Sequence, residues 1–329
     1  MSKPRVGICL PVFAGASAWD HSLDFGVLKS LIPKWEEMGF NSLWVPDHLT
    51  MGDGGRIFEC WTVLAAASQL CESMRLGTLV LCANHRSPAV LAKMAATLDV
   101  ISNGRLELGV GAGWRASEQL SYGLKWEPSV KVRVKRLIES VEIIRGMWTN
   151  DNFSYSGQYY KVDNATCSPK PLQKPHPRIW LAGKGERIIL KAIARYADGW
   201  NVDEISPKEY ARKLEVLRGY CDSVGTDCER IDKSLETIIL ISDKKEELQR
   251  VVEWSKWYAG IQAEYGTSAP AQGDLAEMKS RYLLGSVREV TERIAEYVAV
   301  GVQQFMVYFL DYPSMRSMKL LAEDVMPSL

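Results

Sequence analysis

The chain has no excess of charge of either sign: 40 Lys and Arg balance 40 Asp and Glu over 329 residues. Bulk electrostatics therefore favour neither nucleic acid nor an anionic membrane as a partner. No apolar run approaches the roughly 18 residues of a membrane span. Met1-Ser-Lys-Pro leads straight into a predicted strand, without the apolar core of a signal peptide. The seven cysteines are odd in number and fall in no metal-ligand pairs. Cys221 and Cys228 are nearest in sequence, but free thiols in a reducing cytoplasm explain them better than a bridge or a metal, and no metal site is expected. Low-complexity tracts and short-period repeats are also missing. What is present is an ordinary globular balance, 47% apolar and 24% charged, able to bury a sizeable core.

The stretch from Arg75 to Trp114 organises the rest. Residues 75–82 form an apolar run too short for a helix and suited to a buried parallel strand. Ser87-Pro88 then supplies an N-cap with proline at the first helical position. Leu91, Ala92, Ala95 and Leu98 recur at helical spacing until Ser102-Asn103-Gly104. Residues 105–110 form a second strand running into Gly111, Ala112, Gly113 and Trp114. Strand, helix, strand is a right-handed βαβ unit, and its glycines lie where α/β proteins place ligands.

Further strands are expected at 5–10, 42–45, 178–182, 198–201, 234–241 and 303–310, each followed by a helical pattern. The clearest amphipathic helix carries Val134, Leu137, Val141, Ile144 and Trp148 on one face. Ser286-Val-Arg-Glu289 is a capping box. Two segments break the rhythm. Residues 150–177 hold a small hairpin and a proline-rich connection, and residues 258–280 form a second irregular insertion. Eight strands alternating with helices, with no linker-like break, predict a single α/β domain, a (β/α)8 TIM barrel spanning 1–329 with those two insertions.

Function is then sought at the carboxyl ends of the strands. Asp47-His48 follows strand two; a His beside a carboxylate can act as general acid or base, or hydrogen-bond a ring heteroatom of a cofactor. The alternative is a solvated loop pair, and the strand-end position favours function. Gly111, Ala112 and Gly113 let a flat ligand approach the backbone, with Trp114 as a wall. They are not a dinucleotide fingerprint, since no third glycine follows at the right spacing. Gly183, Lys184, Gly185 and Arg187 open a helix and suit a phosphate; an ordinary βα turn is the alternative. Glu59 opens the second helix near the pocket, and Trp61 reads as core. Glu118, Asn84 and His85 read as solvated.

Several long blocks in order resemble the luciferase-like flavin and deazaflavin oxidoreductase superfamily, above all its coenzyme F420-dependent branch. They are RLGTLVLCANHRSPAVLAKMAATLDVISNGRLELGVGAGW, RLIESVEIIRGMW, SGQYYKV, PKPLQKPHPRIWLAGKGERIILKAIARYADGWN and GSVREVTERIAEYVAVGVQQFMVYFLD. The resemblance implies a luciferase-like barrel in which Asp47 and His48 lie by the ring, His48 taking part in hydride-transfer chemistry and Asp47 positioning it. It implies a bulge with a non-prolyl cis peptide near Thr78-Leu79 backing the ring, and a phosphate loop at 183–187. One departure stands out. Sugar-phosphate dehydrogenases of this superfamily carry a catalytic glutamate directly after the strand-four glycines, where this chain has Trp114; that argues against glucose-6-phosphate as substrate.

The expectation is a cytoplasmic homodimeric oxidoreductase that uses coenzyme F420 to move a hydride to or from a small organic substrate. An FMN-dependent monooxygenase working with a flavin reductase is the nearer alternative, and a non-catalytic flavin-binding protein the further one. Loops 11–22, 49–57 and 258–280 wall the pocket and carry no specificity code.

Overall fold

A computed structural model of the chain describes residues 3–264 and 274–329. Its strands are β1 (Arg5–Cys9), β2 (Ser42–Val45), β3 (Arg75–Thr78), β4 (Leu81–Cys82), β5 (Leu106–Gly111), β6 (Phe153–Ser156), β7 (Lys161–Ala165), β8 (Arg178–Ala182), β9 (Gly199–Asp203), β10 (Asp232–Ile241), β11 (Leu283–Gly285) and β12 (Gln304–Phe309). Eight of them, in the order β10-β12-β1-β2-β3-β5-β8-β9, pair side by side in parallel, and β9 closes onto β10. The expected (β/α)8 barrel is thus present. β10 overshoots the barrel wall: its lower residues pair with β9 and β12, while Ile239, Leu240 and Ile241 pair with β11.

Helices cover the outside: α1 (Phe25–Glu37), α2 (Cys60–Ala67), α3 (Pro88–Ile101), α4 (Ala116–Ser121), α5 (Val130–Thr149), α6 (Ile189–Tyr196), α7 (Pro207–Val224), α8 (Lys245–Glu264), α9 (Leu275–Arg281), α10 (Val287–Ala299) and α11 (Arg316–Leu320). Local chemistry fixes their starts. Ser286 and Glu289 form the predicted capping box of α10, and Ser206 with Glu209 forms another at α7. The predicted apolar face of α5 is buried against the barrel, with Leu137, Val141 and Ile144 fully enclosed.

Two tryptophans fill the barrel interior. Trp44 and Trp180 meet edge to face, with ring centroids 5.7 Å apart. A β-carbon at Gly77 would fall 2.1 Å from Trp44, and one at Gly199 would fall 2.2 Å from Trp180. Small residues on the neighbouring strands therefore make room for large ones, which gives a packed core and no pore. The Trp180 indole N–H donates to Glu107 at 2.6 Å, and Arg75 pairs with the same carboxylate at 2.7 Å.

Three expectations need correction. Residues 75–82 do not form one strand: the non-prolyl cis bond lies at Leu79-Val80, one bond beyond the expected place. Leu79 N–H still donates to Val45 C=O at 2.8 Å, so sheet pairing holds through Leu79 and breaks after it. The segment 258–280 is not irregular at its flanks, because α8 runs to Glu264 and Asp274 caps α9 through the Glu277 N–H; 265–273 lie outside the described residues. Between β5 and α5 the chain also forms α4, which the periodicity did not show. The hairpin of β6 and β7 lies within 150–177 as read, and all seven cysteines are free and buried.

Candidate active site

The carboxyl ends of the barrel strands surround a cavity of about 810 Å3. Asp47, His48, Leu79, Gly111, Ala112, Gly113, Trp114, Gly183, Lys184 and Gly185 all line it. Thr78, Glu59 and Arg187 do not. Thr78 is buried and turned towards β5, its hydroxyl donating to Gly109 C=O at 2.8 Å. The Glu59 carboxylate caps α2 and pairs with Arg86 at 2.9 Å, and the Arg187 side chain is exposed.

Asp47 and His48 are adjacent in sequence but held by different partners. Asp47 is buried; it accepts two bonds from the Arg86 guanidinium, at 2.7 and 2.9 Å, and one from the Cys82 N–H at 3.2 Å. Burial opposes its ionisation, but His85 and Arg86 outweigh burial and hold its carboxyl below the usual range. His48 instead faces Glu118, with Nδ1 3.1 Å from Oε2 and 3.2 Å from Oε1. The expectation that Asp47 positions His48 is corrected accordingly: Glu118 makes that contact.

Glu118 is buried, contrary to its solvated reading, because α4 folds back across the mouth of β2. Its Oε1 accepts the Leu49 and Thr50 N–H groups at 2.6 and 3.0 Å. These bonds and His48 overcome the burial penalty and lower its carboxyl, so an ionised Glu118 accepts from His48 and the Nδ1 proton is defined. The side chain of His85, also read as solvated, is buried behind both acids. Its Nδ1 lies 3.5 Å from Asp47 and its Nε2 3.9 Å from Glu118. Burial works against charge here too, yet Asp47 and the Cys82 side chain push it up to about 10. From the wall inwards, contacts thus link His48, Glu118, His85, Asp47, Arg86 and Glu59 in turn.

Gly113 shapes the adjoining wall. It has φ +73°, and a β-carbon there would lie 2.4 Å from Cys82 Sγ. Trp114 is half-exposed and meets His48 edge to face with 5.5 Å between centroids. Across the cavity, α6 begins without a side-chain cap; the Leu190 N–H donates to Gly185 C=O at 3.2 Å and the Gly183 N–H to Asn201 C=O at 3.0 Å. Lys184 Nζ lies 3.4 Å from Asp203.

The far wall holds acids the sequence reading missed. Glu236 sits on β10, with its Oε2 accepting from Asn201 at 3.2 Å. Burial, then Asp203, pushes Glu236 up to about 8, and the same two causes push Glu204 up to about 7. Glu236 was traceable: it is the lone charged residue in the run Leu235 to Ile241, which is apolar but for Thr237. Glu118 had no comparable signal.

A parallel barrel whose mouth combines a carboxylate-held histidine, a glycine-opened wall and an uncapped helix start is an enzyme's architecture. The luciferase-like monooxygenase family model matches residues 5–304, and the chain belongs to that family. It is similar to an F420-dependent glucose-6-phosphate dehydrogenase of Microbacterium testaceum, 29% identical over 321 residues that cover 93% of this chain and 92% of that protein. A phthiodiolone/phenolphthiodiolone dimycocerosates ketoreductase of Mycobacterium bovis is 31% identical over 239 residues, covering 66% of this chain and 61% of its own. The fold matches an F420-dependent secondary alcohol dehydrogenase in complex with an F420-acetone adduct, with TM-score 0.84 over 99% of both chains at 20% identity.

Proposed function

We propose that the chain is a coenzyme F420-dependent oxidoreductase that moves a hydride between the deazaflavin and a small organic substrate. The observation that carries this reading is the pairing of His48 with Glu118 on one wall of a cavity whose opposite wall is the glycine-opened start of α6. The F420 dependence named for the relatives supports it. The cavity suits such a group: Gly111, Ala112 and Gly113 admit a flat ring beside Leu79, and the turn through Lys184 and Gly185 would hold the phosphate with backbone N–H groups and one ammonium. Bound there, the coenzyme would supply the hydride chemistry.

This chain's own residues do the rest. Glu118 fixes the Nδ1 proton of His48, so proton exchange with the reacting oxygen runs through Nε2. Asp47 clamps Arg86 and His85 and so sets the backbone of the residues that precede α3. Trp114 shields His48 from solvent on one side. The homodimer and the cytoplasmic setting belong to the same reading; buried free thiols support a reducing compartment.

Titration of the purified chain with coenzyme F420 and with FMN, each followed by tryptophan fluorescence, tests the reading. Micromolar quenching by F420 alone is expected. Preferential quenching by FMN with oxygen consumption would replace it with the monooxygenase reading, and F420 binding with no turnover of any carbonyl or alcohol would leave a flavin-binding protein.

A further inference from the structure

Beside the main cavity lies a smaller one of about 130 Å3, which shares Met51, Asp203, Glu204, Glu236, Tyr258 and Tyr308 with it. A cavity of roughly 150 Å3 holds benzene, so this one is sized for a compact group of similar bulk.

Its walls are aromatic. Phe13 comes from the loop after β1, Trp254 and Tyr258 from α8, Tyr282 from the end of α9 and Tyr308 from β12. Trp254 and Tyr258 stack with centroids 5.3 Å apart; Phe13 sits 6.0 Å from Tyr258 and 6.2 Å, edge to face, from Tyr308. The polar lining is acidic: Asp203, Glu204 and Glu236 converge, and none of the described residues lining this cavity carries a positive charge. Lys184 and Arg281 face the acids only from the main cavity, and Lys184 is engaged by Asp203. Ring faces are negative at their centres and attract cations, most strongly when the cation is stripped of water. Crowded, half-desolvated carboxylates gain by the same occupant, since a cation relieves their mutual repulsion.

We infer that this side cavity is a specificity subsite for a substituted ammonium group of the substrate, seated among Phe13, Trp254, Tyr258 and Tyr308 and opposite Glu204 and Glu236. It opens on the chamber that holds His48, so the group it holds is the non-reacting end of the substrate, an assignment that rests on the hydride-transfer reading above. The elevated values of Glu204 and Glu236 fit buried acids beside Asp203 that Lys184 and Arg281 offset only in part. The same wall repels a sugar phosphate, since the charged groups among its described residues are all acidic.

Isothermal titration of the whole chain with choline and with its uncharged isostere 3,3-dimethylbutan-1-ol tests this, at a pH of about 8.5, above the value to which Glu236 is pushed. Choline should bind at least about tenfold more tightly, the factor that a desolvated cation–aromatic contact carries. Glu236→Gln, which keeps the shape and the Asn201 contact, should weaken choline about tenfold and leave the alcohol unchanged. Equal binding of the two probes, binding of neither, or displacement of choline by glucose-6-phosphate would overturn the inference, and the wild-type comparison decides it even if the variant fails to fold. Titration with coenzyme F420 is read separately. F420 binding without choline preference sinks the subsite alone, and choline preference without F420 binding sinks the cofactor reading alone.

Discussion

Replacing Glu236 by glutamine should make the protein more stable in alkali, although it removes a charged group from a polar contact. The ordinary carboxyl value is 4.5, and burial with Asp203 beside it lifts the folded state to about 8. Between those values the folded chain holds a proton that the unfolded chain has released, so stability falls as pH rises across that window. At about 1.4 kcal/mol per pH unit the ceiling on the loss is about 5 kcal/mol. Glu236 also borders the cavity, so solvent and local relaxation recover part of that ceiling; about 2 kcal/mol is the expected loss. Glutamine mimics the protonated acid and keeps the Asn201 bond, so the variant escapes the loss. Urea midpoints at several values from pH 5 to pH 9 would show it: wild type and variant nearly coincide at the acid end and separate towards the alkaline end, the variant higher. Parallel curves would mean that Glu236 is ionised at no cost, and the electrostatic account of the far wall would fail.

Other perturbations separate the remaining contributions. Asp47→Ala leaves Arg86 and His85 without their shared acceptor and should cost about 3–5 kcal/mol by urea unfolding; a cost under about 1 kcal/mol would show that water replaces the carboxylate. Gly113→Ala meets both a positive φ and Cys82 Sγ, whereas Gly123→Ala has a similar φ of +71° with open space. The first should lose about 3 kcal/mol and the second about 1 kcal/mol, compared by thermal melting. His85 is raised to about 10 from 6.5, so its stabilising charge is fully present below 6.5 and lost as pH rises through 10. Accordingly, the wild-type advantage over His85→Gln should be constant in acid and shrink through that window; a gap independent of pH would indicate packing alone.

The barrel was legible because its signals are local and repeated: short apolar runs, caps such as Ser286 with Glu289, and glycines at strand ends. The Asp47-His48 dipeptide was legible for the same reason. What it does with its neighbours was not, because Glu118 reaches His48 only through the fold-back of α4, and His85 becomes buried only once Asp47 and Glu118 close over it from two other elements. Charge complementarity across 70 residues leaves no periodic trace. Glu59 and Thr78 show the converse: a helix start invited a pocket role for the first and the family resemblance for the second, yet helix capping claims Glu59 and a strand contact claims Thr78.

β10 is tied to β9 and β12 low in the wall and to β11 above it, and α8 and α9 lie between β10 and β11. The strand bearing Glu236 is therefore anchored on three neighbours, while the two helices that follow it take no part in closing the barrel. A lineage can exchange those helices, and with them Trp254 and Tyr258, without disturbing His48, Glu118 or Gly113 on the other side of the mouth. Part of the side cavity's wall is thus separable from the residues around His48, with one strand anchored on three neighbours as the joint between them.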